Sequence, residues 1–288
     1  MNIPVPVQDL PFRSTSLGRS VRARLQFRKS GDKTYLADQH TPHPFHITRP
    51  FAISGDPEGM ATLYLQSSAG GLYHDDDHHM SVSVEDGACA HVTSQASTII
   101  HNSHQSGSRI DVELTVGANG WLEFCPEPAI LFPGARLKST LTAQVHPTSK
   151  LLFCDAQLCH DPQGIGATFN ELDNKISLKN EEGETFYVDR AVVRGENWFG
   201  ATDGRQCAGT FLVYDTGNAA LISSALEACI AGFDPSFVYA GQTHLADRSI
   251  VVVRLIATSG ANLTNAMQAL WSAIRVALTG ETPMPRRK

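Results

Sequence analysis

The chain has 288 residues, of which 42% are hydrophobic and 18% charged; this excludes the composition of a disordered segment and suits one β-rich domain spanning 1–288. Its formal net charge of −6 leaves no surplus of Lys and Arg to neutralise phosphates, which argues against nucleic acid as a partner and for proteins or cations. No apolar run reaches bilayer-spanning length, and Met1 to Arg13 mixes Pro, Asp and Arg where a signal peptide needs an apolar core, so a cytoplasmic chain without a membrane partner is expected.

In chain order, residues 1–15 read as flexible, and Ser30-Gly31 marks an early turn. The run His74-Asp75-Asp76-Asp77-His78-His79 offers imidazole and carboxylate to a divalent ion, or else forms a solvated polar turn. Neighbouring residues on a strand face opposite ways, so at most half of the run can converge on one ion. His91, His101 and His104 follow close behind and strengthen the metal reading.

From Met80 the pattern has period two, as in Met80, Val82, Val84 and in Ile110, Val112, Leu114, Val116, which predicts half-buried strands to about residue 215. Asp86-Gly87, Asn119-Gly120 and Pro133-Gly134 punctuate them as turns. A weak repeat lays Val84–Ser94, Val116–Pro126 and Val145–Asp155 on one another without gaps. Each unit has a valine, a turn and an inward apolar pair: Ala90 and Val92, Leu122 and Phe124, Leu151 and Phe153. If the units stack, His91 and Thr93, Glu123 and Cys125, Leu152 and Cys154 form a column on the opposite face. The expected fold class is therefore mainly β, a coiled, β-helix-like stack of strands.

Two amphipathic helices follow near the C-terminus. One spans Asn218 to Ala231, with Ile222, Ala225, Leu226 and Cys229 on one stripe before Gly232; the other spans Leu263 to Leu278, with Leu263, Met267, Leu270 and Ile274 together before Gly280. The end, 283–288, reads as frayed.

Among chemical signatures, no GxSxG elbow, HExxH helix, P-loop or GxGxxG occurs, and the six cysteines form no CxxC pair. Glu123 and Asp155 follow or interrupt apolar strands, where a carboxylate is costly to bury alone. Each faces solvent, pairs with an Arg such as Arg136, or serves to pass a cation. Cys125 and Cys154 read as small core hydrophobes.

Arg49-Pro50-Phe51, Gly70-Gly71-Leu72, Val92 through Thr98 (VTSQAST), Leu122 through Glu127 (LEFCPE), Ile130-Leu131-Phe132 with Gly134-Ala135, and the end from Leu270-Trp271 through Arg275 and Gly280 to Pro285-Arg286 occur in the order of the UreD (UreH) family of urease accessory proteins, which the chain resembles over most of its length. The resemblance implies a largely β scaffold, not itself an enzyme. It would act in a complex with UreF-type and UreG-type (GTPase) accessory proteins that docks on the urease apoprotein and inserts nickel. It further implies an internal route that holds nickel transiently, with no tightly bound cofactor. Asp76 falls on the family's aspartate after its glycine-rich turn, Glu123 on the glutamate of its LEW-type motif, and Asp155 on an acidic position in a late strand. With His74 and His78 of the polar run, these are the candidate metal residues. His74-Asp75 in place of further glycines, Ile99 and His101-Asn102, and Cys159-His160-Asp161-Pro162 depart from the family pattern. The alternative is a stand-alone metal-binding protein or metalloenzyme built on His74–His79.

Overall fold

A computed structural model of the protein describes residues 18–103 and 106–285. The described chain opens with the hairpin β1 (Ser20–Ser30) and β2 (Lys33–His40), then β3 (Phe45–Ile47) and β4 (Ala61–Ser67). The middle consists of β5 (Asp77–Val84), β6 (Cys89–Ser94), β7 (Thr98–Ile100), β8 (Ser108–Val116), β9 (Trp121–Cys125), β10 (Ala129–Leu131), β11 (Arg136–Val145) and β12 (Lys150–Cys159). The remainder comprises β13 (Glu171–Lys179), β14 (Thr185–Arg194), the short α1 (Trp198–Ala201), β15 (Cys207–Asp215), α2 (Ala219–Ala231), β16 (Val238–Leu245), β17 (Ile250–Ala257) and α3 (Gly260–Thr279).

The chain winds as a solenoid. It crosses from one sheet to the other and back, so that each coil adds a parallel strand to each sheet. In the first sheet β1, β5, β8, β11 and β13 run parallel, with β2 and β14 antiparallel at the edges. In the second, β4, β6, β9 and β12 run parallel, and β15, β17 and β16 continue the sheet antiparallel. The repeat seen in sequence is the coil itself: Val84 pairs with Val116 and Val116 with Val145, while Ala90, Leu122 and Leu151 lie in one register and Val92, Phe124 and Phe153 in another. These pairs point between the sheets and form the larger core, together with Leu25, Phe27, Val82, Leu114 and Leu178.

Both expected helices are present. Asn218 precedes α2 and Gly232 ends it. α3 starts earlier than its apolar stripe, because the Ser259 side chain accepts a hydrogen bond from the Asn262 N–H, and it ends at Gly280 in the left-handed region (φ 76°). Leu263, Met267, Leu270, Trp271 and Ile274 of α3 are buried in a second core against the outer face of the second sheet, which also buries Cys125 and Cys154. Strands β16 and β17, between the two expected helices, are the main difference from a sequence reading that placed strands only to about residue 215. Val252 packs between the sheets while Val251 and Val253 pack under the helices, so β17 is apolar on both faces and shows no alternation.

No helix among the described residues is long and apolar enough to cross a membrane. Pro283, expected in the frayed end, is buried, and the Met284 N–H donates to the Ser54 carbonyl at 3.4 Å. Residues 1–15 and 286–288, and His104, lie outside the described residues.

Candidate functional site

A cavity of about 560 Å³ opens between the two sheets where 65–72, 94–99 and 126–129 connect them. Its floor follows from strand register. His78 on β5 pairs with Ile110 on β8, Ile110 with Ser139 on β11, and Ser139 with Asn174 on β13. One rung of the first sheet thus carries three polar side chains inward, all lining the cavity. The next inward rung, Met80, Val112, Leu141 and Ile176, is apolar. From the second sheet, Phe124, Phe153, Asp155 and Gln157 complete the wall.

The ends of the polar rung differ in chemistry. His78 is only 5% exposed; the ring of Phe45 meets it edge-on at 5.2 Å, and its Nε2 has no hydrogen-bond partner among the described residues. Burial lowers its pKa and holds the imidazole neutral, against the nearby Asp76 charge. At the other end the half-buried Asp155 accepts hydrogen bonds from Gln157 Nε2 at 2.7 Å and from Asn174 Nδ2. Desolvation outweighs these bonds and raises its pKa above the ordinary carboxylate value.

The polar run of 74–79 is divided by the pleat of β5. His78 points in, whereas the outward His79 lies 3.6 Å from Glu113. His74 is half-buried in the turn before β5. Asp76 is 3% exposed and is clamped by Arg19, whose backbone N–H donates at 2.8 Å and whose guanidinium forms an ion pair with it, while the Tyr73 N–H donates at 2.9 Å. Burial alone would raise its pKa; the bonds from Arg19 and Tyr73 outweigh that and hold the carboxyl below the usual range.

Glu123 lies on the opposite face of the second sheet, in the column the repeat predicted, but α3 covers it and it is fully buried. His91 Nδ1 lies 2.6 Å from Oε2, Trp271 Nε1 donates to Oε2 at 2.8 Å, and Arg275 donates to both oxygens at 2.5 and 2.9 Å. Arg275 also reaches Asp56 Oδ1 at 3.0 Å. Desolvation opposes ionisation of Glu123; the charge of Arg275 and the bond from His91 overcome it and keep the carboxyl well below the usual range. Its partner is therefore Arg275, not Arg136 or solvent. An arginine on the apolar stripe of a helix, four residues after Trp271, is the signal that could have found this pair.

Of the five candidate metal residues, His78 and Asp155 line the cavity, while His74, Asp76 and Glu123 do not. Among the described residues no three His, Cys, Asp or Glu side chains gather to hold one ion. Ser139, Asn174 and Gln157, unmarked in the sequence, become cavity residues through register alone. Two of the departures from the family pattern, His101 and His160, meet on Phe132: Tyr73 stacks on His101 at 4.3 Å, His101 meets Phe132 at 5.7 Å, and Phe132 meets His160 at 5.4 Å.

The sequence matches the profile of the family described as UreD urease accessory protein over residues 19–288. It is 34% identical to a urease accessory protein UreD of Methylorubrum extorquens, with 99% of this chain and 98% of that one covered. Identity is 32% to the UreD of Methylorubrum populi (99% and 96% covered) and 30% to a UreD of a Bradyrhizobium species (96% and 97% covered). With a profile that spans nearly the whole chain and relatives matched end to end, the chain belongs to the UreD family of urease accessory proteins.

Proposed function

We propose that this protein is a nickel-insertion chaperone: a non-enzymatic scaffold that acts in the cytoplasm with UreF-type and UreG-type (GTPase) partners on the urease apoprotein. Nickel passes as cargo through the cavity between the sheets and is held only transiently. The observation that carries this reading is the rung of the first sheet that brings His78, Ser139 and Asn174 into an otherwise apolar interior, with His78 at one end and, at the other, Asn174 bonded to Asp155 of the second sheet. A buried cation needs such polar company. A neutral imidazole suits nickel and a carboxylate supplies charge, while the lack of a three-donor cluster among the described residues suits passage rather than storage.

The test is to purify urease from cells that carry the whole urease operon, with and without this gene, and to measure its nickel while pulling down the tagged protein. Nickel-poor urease in its absence, and co-purified accessory proteins in its presence, are the expected results. Fully active, nickel-replete urease without this chain, at ordinary nickel supply, would reject the reading.

A further inference from the structure

Among the described residues that line the cavity, His78 combines properties that no other shares. It is buried, its Nε2 has no hydrogen-bond partner among the described residues, and its side chain lines a cavity of about 560 Å³. A buried polar nitrogen without a partner costs free energy unless water or an ion completes it. Phe45 packs edge-on against the ring, and an imidazole that carries one proton keeps a lone pair on its other nitrogen.

We propose that His78 is the metal-selecting station of the cavity, where one imidazole nitrogen takes a single nickel(II) ion from water and releases it along the rung toward Asp155. This rests on the conduit reading above and adds to it the identity of the discriminating ligand. Imidazole favours nickel, copper and zinc over magnesium and calcium, which prefer oxygen, so a nitrogen donor at this station rejects the abundant hard cations that a carboxylate-lined path would admit. Three strand spacings separate His78 from Asn174, about 14 Å, too far for one ion to bridge both ends. The ion therefore moves between them, past Ser139. A single protein donor also keeps binding weak enough for release.

The test titrates nickel(II) chloride alone into the full-length chain carrying His74→Ala and His79→Ala, which removes the neighbouring histidines of the run. One equivalent is expected to bind, to resist about a hundred-fold excess of magnesium, and to weaken about ten-fold or more when His78→Leu is added. Leucine fills a similar space and leaves no unpartnered nitrogen, so the melting temperature should not fall. X-ray absorption of the nickel-loaded protein with His78 intact should show imidazole scattering, which decides the matter even if His78→Leu fails to fold. Equal nickel affinity in folded His78→Leu, displacement by magnesium, an all-oxygen shell, or no nickel bound at all because the site holds only water would each overturn the proposal. Urease activation in matched strains separates the two readings. Nickel binding unchanged by His78→Leu, in a protein still required for activation, sinks the station alone; dispensability of the chain sinks both.

Discussion

Arg275 on α3 and Glu123 on β9, 152 residues apart, form a fully buried two-armed ion pair, with contacts of 2.5 and 2.9 Å. Removal of one partner strands the other charge in a low-dielectric interior. Glu123→Ala should therefore cost about 3–5 kcal/mol of stability, measured by urea unfolding, and a loss below about 1 kcal/mol would contradict the geometry. The geometry predicts that α3 loses its docking contact first.

Asp155 predicts the opposite sign. Its folded-state pKa is raised, so its contribution is intact below the ordinary carboxylate pKa and is lost as pH rises through the folded value. Asp155→Asn, which cannot ionise, should match the wild type near pH 3 and gain on it progressively toward pH 7. Thermal melts across that range decide; a variant that loses stability as pH rises would show the carboxylate to be favoured where it stands.

Glu123 and Asp76, both buried and with lowered pKa, contribute to the acid limit of the fold. Their stabilisation is complete above the ordinary carboxylate pKa and disappears as pH falls through their folded values. Glu123→Gln should flatten the acid limb of the stability curve, as measured by unfolding between pH 2 and pH 6.

Ser139 tests the cavity without touching its ends. Ser139→Leu adds bulk at the centre of the polar rung, where space exists for it. Thermal stability should hold while urease activation drops several-fold in a reconstituted assay. Normal activation would place the route elsewhere.

Gly71 tests the turn before β5. At φ 124°, an added Cβ would lie 2.2 Å from the Ile99 carbonyl oxygen, a backbone atom that cannot swing aside. Gly71→Ala should cost about 1–3 kcal/mol or more in urea unfolding; a neutral result would mean that the Gly70–Leu72 segment relaxes freely.

The coil was legible because a solenoid repeats its burial pattern: Ala90, Leu122 and Leu151 were aligned by spacing alone, and the structure pairs them. α2 and α3 were legible from their stripes and terminal glycines. β17 was not, because Val251 to Val253 are buried on both faces and carry no period. The cavity was half legible. His78 stood out as part of the His74–His79 run and Asp155 as a costly carboxylate in an apolar strand, whereas Ser139 and Asn174 are ordinary polar residues whose meaning depends on the strand beside them. Arg275 was hidden for the same reason, since its partners Asp56 and Glu123 lie far away in sequence.

The ion pair beneath α3 also bears on synthesis. The ribosome makes Glu123 long before Arg275, so until α3 emerges the nascent second sheet presents a carboxylate without its guanidinium and an apolar face, with Leu152, Cys154 and Val213, that lacks the cover of α3. A product truncated before Arg275 should therefore be held by chaperones or degraded rather than released as a smaller working protein.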